Sequence, residues 1–274
     1  MKKIFIVLLL IPALMISACG NKASKKKDIG TKAEINQQEQ YLTEDLIIKI
    51  DSLIAGFQKL GVMPHMKAIR EGTLVLTERE KRVKPTFLTP LTKVNDLVTL
   101  NQKSRALAIY AVDREIAVLY DMPVEEYDRV LAQLMVETDN VALMEGTEIK
   151  VEVNTLDLDS WIVTMGSEQL EKEQVHLFFE TMASGILEAL YITSLEIPRY
   201  IKYFNDETAS DVSYRFLLVV EGIESLMPYH PELESISGIL DPLKVINAIN
   251  VKQLEEQLNT LAGEIATARN KLLD

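Results

Sequence analysis

Three groups of residues in this 274-residue chain have types and spacings that can do chemistry. Cys19, the only cysteine, closes Leu14-Met15-Ile16-Ser17-Ala18-Cys19-Gly20 and offers one thiol at the end of an apolar run. Glu173-Gln174-Val175-His176 is a Glu-x-x-His with Glu180 one turn further on, so one helix face can present two carboxylates and an imidazole. Tyr110 and Asp113 stand one helical turn apart in a densely apolar segment, as do Glu188 and Tyr191. Burying those carboxylates costs several kcal/mol unless they are hydrogen-bonded or paired.

The Glu-x-x-His lacks its second half. Di-iron bundles need two such motifs and two further glutamates, whereas His65 and His230 follow Val62 and Met227 at that spacing. A solvated helix face is therefore expected there. Three scattered histidines and one cysteine supply no tetrahedral zinc set, so no metal and no cofactor is expected. No Gly-x-Ser-x-Gly, Walker or Gly-x-Gly-x-x-Gly pattern occurs, and nothing singles out a catalytic pair among the many carboxylates. For Asp113 and Glu188 the plain expectation is bonding to tyrosines, Arg114 or backbone, fixing how two central helices dock. The sharper alternative is a small polar pocket lined by Tyr110, Asp113, Glu188 and Tyr191.

The elements that carry these residues read as helices throughout. Thr43-Glu44-Asp45 opens an amphipathic helix on Leu46, Ile47, Ile50, Leu53, Ile54, Phe57 and Leu60, ending at Gly61. Pro64 to Arg70 is a short helix, and Thr77 to Glu80 has capping-box spacing before another that ends near Pro85. A helix from Thr89-Pro90 carries Leu91, Val94, Leu97 and Val98, then Asn101 to Ser104 connects to a nearly all-apolar helix from Arg105 to Tyr120. Pro123 starts the next. Residues 139–156 are the least readable, with Ile149, Val151 and Val153 alternating, and Asp159-Ser160 then caps a helix with Trp161. Val175 to Ile197 is the second densely apolar helix, Ser210 or Asp211 begins another, and Pro231 one more. From Asn250, an a/d seam of Leu254, Leu258, Leu261, Ile265, Ala268 and Leu272 lasts under three heptads, which favours packing over an extended coiled coil. The fold expected is all-α, an antiparallel multi-helix bundle or a short helical-hairpin solenoid.

Charge divides the chain. The net is −12, yet residues 20–32 hold five lysines against Asp28, and from residue 33 onward 22 basic residues face 40 acidic ones, a net of −18. A basic stalk suits anionic lipid headgroups, while an acidic body repels nucleic acid, so no nucleic-acid partner is expected. An aromatic content of 6% is thin for a glycan-binding surface. Without a second cysteine no intramolecular disulfide can form, so stability must come from packing.

Lys2 and Lys3, the apolar run Ile4 to Ile16 and the small Ser17 and Ala18 make a secretory signal too short to be an ordinary spanning helix. Its Ile16-Ser17-Ala18-Cys19 ending resembles the lipobox of bacterial lipoproteins. The resemblance implies cleavage before Cys19, a diacylglyceryl thioether on its sulfur and acylation of the new amino end. The segments Arg105 to Asp113, Ala117 to Tyr120, Leu156 to Ser160 and Gly185 to Ile192 further resemble uncharacterised helical lipoproteins of Bacteroidota, departing at Arg114, Glu115 and Ala189. That likeness implies a helical fold and an envelope location but no reaction. Gly20 to Lys25 resembles neither the acidic signal for surface export nor the aspartate of inner-membrane retention, which implies the periplasmic face of the outer membrane. The expected organisation is a signal peptide at 1–18, a lipidated basic tether at 19–42 and one acidic helical domain at 43–274. Its expected role is a binding or scaffolding module, with the membrane as one partner and an envelope protein as another.

Overall fold

Thr43 caps the first helix through its hydroxyl, which accepts the Leu46 N–H at 3.3 Å, and Glu44 and Asp45 sit at the positive end of α1 (Glu44–Leu60). Gly61 ends it at φ 56°, a left-handed turn that costs glycine least. The carbonyls that α1 leaves over are taken from elsewhere in the fold: Arg215 donates to Leu60 O at 2.6 Å and Gly61 O at 2.7 Å. The computed structural model describes residues 42–138, Met165 and 174–274, and every regular element among them is helical. The fold is all-α, and these helices belong to one compact unit, Gln40–Asp274.

After α1 come the short α2 (Pro64–Arg70) and α3 (Glu78–Lys81), then a long connection with one 3-10 stretch, Leu91–Asp96. α4 (Leu100–Leu119) and α5 (Glu125–Glu137) follow. Beyond the undescribed residues lie α6 (Val175–Leu195), α7 (Ile197–Tyr200), α8 (Asp206–Leu226), α9 (Leu233–Leu240) and α10 (Val251–Lys271). The two helices with the most buried residues, α4 and α6, pack along one another at the centre; α2 and α5 cover α4, while α8 and α10 cover α6, and α1 lies on α8. Small residues allow the central approach: a Cβ on Gly185 would meet that of Ala108 at 3.4 Å. Phe57, Phe178 and Phe179 meet edge-to-face at centroid distances of 5.2–6.4 Å and tie α1 to α6.

α6 is also long and apolar enough to cross a membrane, but 83% of its most apolar stretch is buried inside the protein. It is a core helix. The seam on α10 is likewise spent on intramolecular packing, with Leu254, Leu258, Ile265, Ala268 and Leu272 all buried.

Several boundaries differ from the sequence pattern. The helix after Thr77 stops at Lys81 rather than near Pro85, because only the capping box supports it and no buried residue anchors it. Leu91 to Asp96 form a 3-10 stretch and no α-helix; Leu91, Val94 and Leu97 do pack on the core, whereas Val98 is 83% exposed. α4 begins at Leu100 instead of Arg105, since Thr99 and Gln102 form a capping box and absorb Asn101 to Ser104 into the helix. α8 begins at Asp206, ahead of Ser210 or Asp211, because Asn205 and Thr208 cap it reciprocally. The readings at residues 139–156, Ser160 and Trp161 lie outside the described residues, though Met165 is helical and buried.

Gly222 on α8 faces the ring of Phe179, and a Cβ there would overlap the buried ring. Gly222→Ala is expected to cost about 1–3 kcal/mol from overpacking, whereas Gly263→Ala, in open space on α10, should stabilise or change little. Urea denaturation of the two variants checks the contrast; equal stabilities would mean that α6 and α8 do not pack this closely.

Candidate functional site

The connection between α3 and α4 has few backbone partners of its own, so side chains of the surrounding helices hold it. The phenol of Tyr110 donates to Pro90 O at 2.9 Å, and Asp113 accepts the Thr89 N–H on Oδ2 at 2.8 Å. From the other side, Arg269 in the last turn of α10 donates to Thr89 Oγ1 at 2.6 Å and to Phe87 O at 3.4 Å. The same guanidinium grips Glu188 on α6 by two bonds, Nε to Oε2 at 2.8 Å and Nη2 to Oε1 at 3.1 Å. It also lies over the Tyr191 ring, 5.0 Å from its centroid. Three helices and one extended strap thus meet on a single buried cation.

Asp113 and Glu188 are both fully buried, and Asp113 Oδ1 has no hydrogen-bond partner among the described residues. Burial first, and then the neighbouring Glu188 carboxylate, pushes Asp113 well above the usual carboxylate range. Burial also pushes Glu188 up, but its bonds with Arg269 pull back the other way. Of the two acids, Asp113 is thus pushed further towards its protonated form, and Glu188 is the one paired with Arg269. Burial raises the Tyr110 hydroxyl as well, and it stays a neutral donor.

All four residues singled out in the sequence are therefore brought to one place: Asp113 lies within electrostatic reach of Glu188, Tyr110 and Asp113 hold the same strap, and Tyr191 lies beneath Arg269. The hydrogen bonds found here are made to protein groups, and Asp113 Oδ1 is left without a partner among the described residues. Arg114, the other expected partner, points elsewhere: it donates to Asp128 at 2.6 Å and so joins α4 to α5. The decisive residues that sequence reasoning missed are Arg269 and Thr89. No local pattern announces either, because they lie 81 and 24 positions from the acids they bond.

One of several concave features among the described residues lies against other residues of α4 and α6. It is an apolar cleft of about 80 Å³ whose walls include Met63, Met66, Ala108, Ala111, Met182, Gly185 and Ile186. None of Tyr110, Asp113, Glu188 and Tyr191 lines it.

The Glu-x-x-His face is not solvated. Glu180 is buried, taking Asn101 Nδ2 at 2.5 Å and Arg105 Nε at 3.0 Å, and His176 is stacked on His230 from a distant segment. Sequence distance had hidden that pairing. Cys19 and Glu173 lie outside the described residues. Comparison with protein-family models, with curated proteins and with solved structures returns no match.

The raised pKa of Asp113 has a testable signature. Asp113→Asn keeps an acceptor for Thr89 N–H and puts a neutral amide in place of the carboxyl, so it should change stability by less than about 1 kcal/mol near pH 4. Because the folded group holds its proton where the unfolded one has lost it, wild-type stability falls as pH rises above about 4. The Asn variant lacks that loss and should gain on wild type steadily towards the raised folded pKa. Arg269→Met, which strands the Glu188 charge, should cost about 3–5 kcal/mol at neutral pH. Denaturant melts from pH 4 to 8 decide; an Asn variant that loses ground as pH rises would place the proton elsewhere.

Proposed function

We propose that this chain is a lipid-anchored binding module of the bacterial cell envelope, held by Cys19 and a basic tether, which grips an aliphatic side chain of a protein partner. The anchor half of this reading is supported by Lys2 and Lys3, the apolar run, the Ile16-Ser17-Ala18-Cys19 ending and the lysines that follow. An acyl chain provides marginal membrane binding alone, and a second chain or a basic patch makes it stable. Five lysines within residues 20–32 fit that requirement, and the acidic body behind them is kept off the same anionic surface. The periplasmic face of the outer membrane suits the residues after Cys19.

The binding half rests on one observation, the contrast between a sealed ionisable cluster and an open apolar cleft. Asp113 and Glu188 are closed off by the strap and by Arg269, which suits them to fixing the core rather than to turning over a substrate. The cleft has the opposite character. A buried water needs about 10–15 Å³ of such space, so 80 Å³ accommodates a branched aliphatic group. Three methionines in its walls can repack around different shapes.

Two measurements test the two halves. Cells fed a clickable palmitate analogue should label the wild-type chain and leave Cys19→Ala unlabelled, with the variant moving from the membrane pellet to the soluble fraction. A photo-crosslinking residue placed at Ala111 should give one discrete adduct in intact cells, and the same residue at Thr267 should give none. Unchanged labelling of the variant removes the anchor; absence of an adduct from position 111 removes the cleft as the binding surface.

A further inference from the structure

His176 is the second residue of α6, and its ring stacks on that of His230 at a centroid distance of 4.0 Å and an interplanar angle of 23°. Glu232 completes the group, with Oε1 at 3.2 Å from His230 Nδ1 and 3.7 Å from His176 Nε2. The turn that carries the last two is held by its backbone: His230 N donates to Leu226 O at 2.9 Å, and Leu233 N to His230 O at 3.0 Å. One ring nitrogen from each histidine and one carboxylate oxygen all lie within 4.8 Å of one another.

His176 is poorly served by protein groups. Only 9% of it is exposed, its Nδ1 is buried with no hydrogen-bond partner among the described residues, and its other nitrogen reaches Glu232 only at 3.7 Å. That separation is too long for a hydrogen bond, so the Nε2 that faces Glu232 is also without a close protein partner among the described residues. Burial, and next the His230 ring, hold the His176 pKa down at about 4, so the ring keeps both lone-pair chemistry and neutrality at pH 7. Glu180, one turn along, does not compete, because Asn101 and Arg105 occupy its carboxylate.

We propose that His176, His230 and Glu232 bind a divalent transition-metal ion of the zinc type. Two imidazole nitrogens and one carboxylate oxygen are a donor set that zinc accepts, leaving a fourth tetrahedral position to water. Zinc–nitrogen bonds of about 2.0–2.1 Å place neighbouring donors about 3.4 Å apart in a tetrahedron. The 3.2 and 3.7 Å separations already bracket that edge. The remaining adjustment falls on His230 and Glu232, whose side chains are 20% and 46% exposed and can turn without disturbing the core. Magnesium and calcium prefer oxygen donors and should be rejected. A bound ion would pin the start of α6 to the α8–α9 turn, adding a cross-link between the two segments.

Calorimetric titration of the full chain with zinc chloride, after chelator treatment, tests the site. The expected result is one ion per chain, no binding of magnesium, and affinity at least about tenfold weaker in His230→Ala and in Glu232→Gln. Both substitutions are at the surface end of the cluster, so the fold survives them, and circular dichroism confirms that in the same samples. Cobalt substitution provides a second readout: wild type should show the visible bands of a four-coordinate centre, and the variants should not. Failure of the wild type to bind zinc, or equal affinity in folded variants, overturns the assignment.

Discussion

The bidentate contact between Arg269 and Glu188 is the interaction on which the rest of the arrangement depends. It joins the half-buried last turn of α10 to the middle of α6, across 81 residues, where Glu188 is fully buried. A pair buried in this way adds little stability by itself, since the desolvation of both ions offsets their attraction. Its value lies in what fails without it. Either charge alone would be stranded in the core, so the helix pair has one acceptable register, and the strap from Phe87 to Pro90 must pass where Thr89 can meet both Arg269 and Asp113.

The second carboxylate adds to the same constraint. Two carboxylates face one guanidinium, and burial together with the neighbouring Glu188 pushes Asp113 well above the usual carboxylate range. α4 thereby presents an acid that holds its proton tightly on the face that meets α6 and the strap. Its opposite flank handles charge differently: Arg114 pairs with Asp128, and Glu115 lies 3.6 Å from Arg70, which ties α5 and α2 to the same helix near the surface. A single run, Asp113-Arg114-Glu115, therefore faces three neighbours. That is why a helix apolar on most sides still tolerates three ionisable residues in a row.

Local chemistry made much of the helical layout legible. Thr43, Thr77 and Asn250 are caps in the structure as their positions suggested, and Gly61 does take the left-handed turn. The misread boundaries have one common cause. At Thr99 and Asn205 a reciprocal cap starts the helix well before its apolar stripe begins, so hydrophobic spacing alone placed the start too late. Around Leu91 the apolar residues are packed on the core as the spacing suggested, but the backbone takes a 3-10 form instead of an α-helix. Tyr110, Asp113, Glu188 and Tyr191 were legible because a charge inside an apolar run demands a partner. The partner's identity was not.

By itself the sequence determined an all-helical body, its two central helices, the acids those helices must neutralise, and a lone thiol at the end of an apolar run. Periodicity, capping and composition are local, and a few neighbouring residues suffice to express them. Only the tertiary structure decided that Arg269 neutralises Glu188, that Thr89 straps Asp113, that His176 meets His230, and that the open cleft is apolar. Those are choices between residues tens of positions apart, set by how helices dock, and docking depends on the shape of every packed face at once.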